Sequence, residues 1–161
     1  MTQPPRHSVS VAAVVTDRHN RVLVIQRRDN GAWQLPGGIL ELDESPQTGV
    51  RREVREETGV DVESERLTGI YKNMALGVVA LVFRARLIAG TPTETDESAA
   101  VAWWTADQVV ADMSEVFAVR ILDALRSDPT PAVRNHDGTR LLNDSAITGP
   151  ADSPGSTNAD L

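Results

Sequence analysis

The sequence predicts an α/β fold, with an order of elements compatible with an α/β/α sandwich built on a mixed β-sheet. Three observations carry that prediction. Segments follow one another as strands, helix, strands and then helices, an order suited to layers of helix packed on a sheet. The run Val22-Leu23-Val24-Ile25 is apolar without interruption, as expected for a strand covered on both faces. One helix is signalled at both ends, by Ser45-Pro46 at its start and Gly59 at its close.

Taken in order, residues 1–7 are a short polar lead-in. The Val- and Ala-rich segment 9–15 and the run 22–25 read as two strands of a hairpin, joined by the turn residues Asp17, His19 and Asn20. Asp29-Asn30-Gly31 marks a second turn, leading to an extended piece with Trp33 and Leu35. Gly37 and Gly38 suit a turn or loop with unusual dihedral angles and exposed N–H groups able to hold an anion. After the capped helix, residues 60–71 continue in extended form. Residues 76–87 pass from a continuous apolar run to alternation with Arg84 and Arg86, a core strand emerging into a half-exposed one.

Residues 89–98 form a surface loop and 99–104 a further strand, on which Trp103 and Trp104 face opposite sides, one of them deeply buried. Thr105 caps a short helix to Val110, and Ser114 caps a longer one to Leu125 whose apolar face is Phe117, Ile121 and Leu125. Residues 1–127 make one domain. Residues 128–161 are a C-terminal extension with a turn at 135–138 and too little apolar material beyond about 143 to stay ordered.

At 161 residues the chain can bury one core. Sixteen Lys plus Arg against 23 Asp plus Glu give a net charge of −7, which argues against a nonspecific duplex binder and a polybasic membrane anchor, so no nucleic-acid polymer is expected as a partner. It does not exclude a phosphorylated small molecule held by a metal and a few local arginines. The absence of cysteine rules out disulfides, thiolate metal sites and cysteine nucleophiles. No segment reaches membrane-spanning length, so the expected setting is cytoplasmic.

The chemistry gathers in residues 38–60, GILELDESPQTGVRREVREETGV. Glu53, Glu56 and Glu57 fall at i, i+3 and i+4, so three carboxylates share one helical face beside the apolar ridge of Val50 and Val54. Like charges so placed repel unless a cation collects them, and Mg2+, with Mn2+ as the alternative, prefers such oxygen donors. A solvated acidic face braced by Arg52 and Arg55 is the plainer explanation of the same spacing.

Gly38, then Glu44, then Arg52-Glu53-Val54-Arg55-Glu56-Glu57-Thr58-Gly59-Val60 at the corresponding spacing resembles the full signature of the Nudix hydrolases, and the approach Trp33-Gln34-Leu35-Pro36-Gly37-Gly38 is also typical of that MutT-like family. The resemblance covers roughly residues 8–126. It implies the α/β/α sandwich named above and a Mg2+-dependent pyrophosphohydrolase that cuts a phosphoanhydride in a nucleoside diphosphate linked to another group.

It further implies Glu53 and Glu57 as inner metal ligands, with Glu56 completing the shell or taking a proton. Arg52 belongs with the catalytic group as the residue that brackets these carboxylates and holds their rotamers. Glu97 is an outlying acid, either base or metal-proximal ligand, with Asp96 as its competitor. Arg28 is the favoured phosphate clamp and Arg27 its reserve, since neighbours on a strand point to opposite sides. Gly37, Gly38 and Trp33 join them on the substrate side, Trp33 as a base-stacking residue or a pocket wall. His7, His19 and His136 lack companions for a metal site, and Ser and His form no nucleophilic arrangement, so water is the expected nucleophile.

Nucleoside triphosphates are the favoured substrates, with ADP-ribose or nucleotide-sugar pyrophosphatase activity as the alternative. A non-catalytic sensor with the same fold would be favoured by loss of a helix glutamate, and all three are present. The sequence leaves monomer and homodimer equally open.

Overall fold

The computed structural model describes residues 1–143, and its strands form two sheets. In the larger, β1 (Ser8–Val15) lies between β4 (Gly37–Ile39), antiparallel to it, and β6 (Val78–Ala89), parallel to it. β6 pairs antiparallel with β5 (Asp61–Asn73), β5 parallel with β8 (Ala132–His136), and β9 (Leu141–Leu142) closes the far edge. The smaller sheet sets β2 (Val22–Arg27) between β3 (Trp33–Gln34) and β7 (Ser98–Trp104), antiparallel to both. Parallel and antiparallel pairs therefore coexist in the larger sheet, which is mixed, while β1 and β2, expected as a hairpin, lie in different sheets and meet through the single bridge of Thr16 with Val22.

Helices cover both faces. Along β1, Ala12 and Val14 face the layer holding Val109 of α2 (Ala106–Asp112) and Ile121 of α3 (Glu115–Leu125). Val11, Ala13 and Val15 face Val50 and Val54 of α1 (Pro46–Thr58) on the other side. The strand period of two thus feeds two separate cores. Val22 and Val24 join the first and Leu23 the second, which is why this run carries no polar residue. Val50 and Val54 are fully buried, each contributing about 1.5–3 kcal/mol by removal from water, so α1 is fixed to the sheet by its apolar ridge.

Several expectations are corrected. Residues 37–39 are not a loop: neither Gly37 nor Gly38 has positive φ, and both pair with β1. The glycines are required by close approach, because a Cβ on Gly37 would collide with the Val11 carbonyl oxygen and one on Gly38 would lie 2.5 Å from the Glu53 carboxylate. Trp103 and Trp104 do face opposite cores, but both are only half-buried. On α3 the buried face is Val116, Ala118, Ile121 and Ala124, with Asp123 among them, while Phe117 and Leu125 flank it. Ser114 occupies the cap position without a side-chain bond, in contrast to the reciprocal box made by Thr105 and Gln108. The surface loop is shorter at both ends, since Ala89 ends β6 and Ser98 begins β7.

Residues 132–142 extend the sheet, with the turn expected at 135–138 falling between β8 and β9. The segment beyond 143, expected to be mobile, lies outside the described residues. No helix among them is long and apolar enough to cross a membrane.

Candidate active site

Ser45 accepts the Thr48 N–H at 3.2 Å, Pro46 supplies a pre-formed first turn, and Gly59 closes α1 at φ 75°. The helix then presents two adjacent rows. Glu53 and Glu57, four residues apart, lie inward and are 8% and 7% exposed. Arg52 and Glu56, also four apart, lie along the rim and bond to each other at 3.1 Å. The three helical acids are therefore divided: Glu56 turns toward solvent, and only Glu53 and Glu57 enter the molecule.

A third carboxylate comes from the loop between β6 and β7. The last carbonyls of any helix lack intrahelical partners, and here the loop supplies them. Thr95 Oγ1 donates to the Glu56 carbonyl at 2.6 Å, Ser98 Oγ to the Glu57 carbonyl at 2.7 Å, and the Thr93 N–H to the Thr58 carbonyl at 2.9 Å. Arg28 binds the same loop, donating to the carbonyls of Thr95 at 2.7 Å and Asp96 at 3.0 Å. With the loop fastened to the helix end, one carboxylate oxygen from each of Glu53, Glu57 and Glu97 lies within 4.8 Å of the others.

This arrangement is electrostatically incomplete. Burial raises the pKa of Glu57 to about 8, reinforced by the charge of Glu53 and then of Glu97, against the Gly37 N–H and the Arg27 guanidinium. Its Oε2 is buried without a hydrogen-bond partner. Burial likewise raises the pKa of Glu53, opposed by its bond to Arg52. An orphaned carboxylate oxygen beside two further hard oxygen donors fits a divalent cation such as Mg2+ or Mn2+.

Arg52 braces the group. Its guanidinium donates to both oxygens of Glu44, at 3.0 and 2.6 Å, to Glu53 at 2.8 Å and to the Ile39 carbonyl at 3.1 Å. Glu44 also accepts the Glu41 N–H, so the acid ahead of the helix ties down its approach loop. The Gly37 N–H is directed at Glu57, so the anion held there is the protein's own.

Arg27 and Arg28 both line the cleft that contains Glu57, Asp96 and Glu97. Strict alternation would have separated them, but the pairing of β2 with β7 shifts register between Gln26 and Arg27, and β2 ends there. Arg27 is held by Asp29 and lies close enough to Glu57 to feel its charge. Trp33 stacks against Trp104 with ring centres 4.9 Å apart and packs on the core beneath α2 and α3. Thr95 and Ser98, which position Glu97, belong to no motif recognised in the sequence; hydroxyl residues on either side of the acidic pair Asp96-Glu97 are the signal that points to them.

The NUDIX domain model matches residues 6–125, most of the chain. This chain belongs to the NUDIX family. It is a NUDIX-type hydrolase of phosphoanhydrides in nucleotide-linked substrates. It is similar to a MutT-like protein of Streptomyces ambofaciens, 56% identical over 141 residues, which span 88% of this chain and 91% of that protein. An 8-oxo-dGTP diphosphatase of Proteus vulgaris is 44% identical over 55 residues, covering 32% of this chain and 49% of that one. An ADP-ribose pyrophosphatase of Methanocaldococcus jannaschii is 31% identical over 98 residues, covering 56% and 57%. The chain thus spans about half the length of the latter two relatives.

Proposed function

We propose that this NUDIX hydrolase acts on nucleoside triphosphates, with Glu53 and Glu57 holding Mg2+ and Glu97 adjoining them. The observation that carries the metal assignment is the partnerless Oε2 of Glu57 among three converging carboxylates. Likeness to an 8-oxo-dGTP diphosphatase and the Trp33–Gly38 approach support the triphosphate substrate. A divalent cation supplies neutralisation of phosphate oxygens and acidification of water at such a site.

The residues divide the remaining work. Arg52 fixes Glu53, while Arg27 and Arg28 line the path of the phosphates with Gly37. Glu97, open to solvent on its loop, takes the proton of the attacking water as the water oxygen bonds to phosphorus. The bridging P–O bond breaks and its electron pair leaves with the departing phosphate. Glu56, held at the rim by Arg52, is the other carboxylate able to accept that proton. Comparing Glu97→Gln with Glu56→Gln decides between them, the true acceptor losing about 10²–10⁴-fold in kcat.

A second reading, ADP-ribose or nucleotide-sugar pyrophosphatase, is favoured by the likeness to the Methanocaldococcus enzyme. Hydrolysis of nucleoside triphosphates, ADP-ribose and nucleotide sugars with Mg2+, followed by identification of all phosphorylated products, separates the two. The expected result is metal-dependent turnover of triphosphates that Glu57→Gln abolishes without unfolding the chain. Tight binding of nucleotides with no turnover in any of them would instead indicate a nucleotide sensor.

A further inference from the structure

Next to the acidic cleft, and sharing Arg27, Gln34 and Gly37 with it, lies a cavity of about 360 Å³. Its walls include Val11, Leu35, Val78, Ala80 and Phe117, an apolar lining of the size that holds a small organic group. Three polar side chains in its lining, Asn73, Arg120 and His136, take no part in the hydrolytic chemistry above.

All three present donors only. The Gly138 N–H donates to Nδ1 of His136 at 3.0 Å, so that nitrogen carries no proton and the neutral ring bears its hydrogen on Nε2. Nη2 of Arg120 lies 3.4 Å from that Nε2, which sets donor against donor. Nε of Arg120 is buried without a partner, and among the described residues no carboxylate pairs with the guanidinium. The guanidinium sits instead between the Phe117 and Tyr71 rings, 5.1 and 5.2 Å from their centres. Asn73 uses its Oδ1 to accept the N–H groups of Ala75 and Leu76, leaving its Nδ2 amide as the free function. Asn73 and His136 are brought side by side by the parallel pairing of β5 with β8.

Buried donors without acceptors are costly, and the cost is removed by a ligand that brings only acceptors. We infer that Arg120, with His136 and Asn73, determines base specificity by receiving the O6/N7 edge of guanine in this cavity. Adenine places an amino donor beside N7 and cytosine carries one at N4, whereas guanine presents O6 and N7 together at the spacing of an arginine fork. The apolar wall with Phe117 accommodates the flat ring. This assignment rests on the nucleotide reading of the neighbouring acids, but it is testable without turnover.

Calorimetric titration of the full chain with GMP and AMP, in metal-free buffer, provides the test. Guanine recognition predicts GMP binding about tenfold or more tighter than AMP, the discrimination expected of one two-point contact. Arg120→Met should reduce that ratio to within about twofold, chiefly through loss of GMP affinity. Arg120→Lys retains charge and bulk but loses the fork, so it should reduce the ratio too, and His136→Phe supplies an independent variant should either Arg120 change unfold the chain. Equal affinities in the natural protein, or a GMP preference that survives all folded variants, overturns the assignment. Hydrolysis measured separately distinguishes the readings: triphosphate turnover without base preference overturns guanine selection alone, and absence of all turnover with GMP preference intact overturns only the hydrolytic reading.

Discussion

Arg52 grips Glu44 at two points, Nε to Oε2 at 3.0 Å and Nη2 to Oε1 at 2.6 Å, across the loop that leads into α1. The bond lowers the pKa of Glu44 to about 2, so the pair stays ionised throughout the working range of pH. Because the same guanidinium also holds Glu53, the approach loop and one of the inward carboxylates are fixed by one residue. Arg52→Met should lower Mg2+ affinity or kcat about 10- to 100-fold while leaving the fold intact. Metal titration and thermal melting of the same preparation check both halves. Equal losses of stability and of activity would show that Arg52 acts on the fold instead.

Gly37 and Gly38 differ in what a methyl group would meet. At Gly38 the obstacle is the Glu53 carboxylate, the movable end of a side chain, at 2.5 Å. Gly38→Ala should therefore displace Glu53 and weaken metal binding with little change in melting temperature. At Gly37 the obstacles are the backbone of Val11 and Ala12, which cannot yield without opening the β1–β4 pairing. Gly37→Ala should cost about 1–3 kcal/mol in stability, read by urea unfolding.

Glu57 makes the metal-free protein sensitive to pH. Its pKa in the folded chain is about 8, above the 4.5 of the unfolded chain, so the folded state binds the proton more tightly. The resulting stability is fully present below pH 4.5 and is lost as pH rises toward 8. Melting temperature without metal should fall across that window relative to Glu57→Gln, which has no charge to bury. Saturating Mg2+ should flatten the dependence, and metal binding near neutral pH should release protons. Calorimetry in buffers of different ionisation enthalpy measures that release.

The inward acids are legible in the sequence because the features that set them are local. The i, i+4 spacing of Glu53 and Glu57, the adjacent Val50 and Val54, and caps at both ends of α1 all act within one element. The division of Glu56 from its neighbours is not legible, because it depends on how the helix is rotated on the sheet and on the pull of Arg52. Gly37 and Gly38 look like turn formers in a linear chain, yet their requirement comes from Val11, Ala12 and Glu53, which are distant in sequence. The donor cluster at Arg120 and His136 arises only when β8 pairs in parallel with β5, a long-range pairing that no local pattern announces.

The same pairing creates a buried ionic link that the sequence did not mark. Asp123 on α3 accepts the Tyr71 hydroxyl at 2.8 Å and both prongs of Arg134 at 2.7 Å, joining helix, β5 and β8. Burial alone would raise the pKa of Asp123, but the bonds from Arg134 and Tyr71 outweigh it and the net shift is downward. Asp123→Asn should cost about 2 kcal/mol, less than a fully buried pair because the Arg134 side chain is 36% exposed. Stability measured by urea unfolding checks the figure. With its pKa lowered, Asp123 supplies stability above the unfolded carboxylate pKa and loses it as pH falls through the folded value.

Arg28 offers a kinetic test of how Glu97 is held. Its guanidinium is engaged by the carbonyls of Thr95 and Asp96, immediately before Glu97, whereas Arg27 is engaged by Asp29 and lies nearer Glu57. If Arg28 serves mainly to hold the loop, Arg28→Lys should lower kcat by about 10- to 100-fold, because one ammonium cannot satisfy both carbonyls and Glu97 moves away from the cluster. KM should change much less, since ground-state binding is retained. Arg27→Ala should have the opposite profile, raising KM for the phosphorylated substrate through loss of a cation beside the cleft. Thr95→Val supplies the control: it removes the hydroxyl bond to the Glu56 carbonyl and disturbs the same loop while keeping the Arg28 guanidinium and the Thr95 carbonyl that it binds. Thr95→Val and Arg28→Lys should then share a kcat defect, and their double variant should lose less than the product of the two. A KM defect confined to Arg28→Lys would instead place Arg28 on the phosphates.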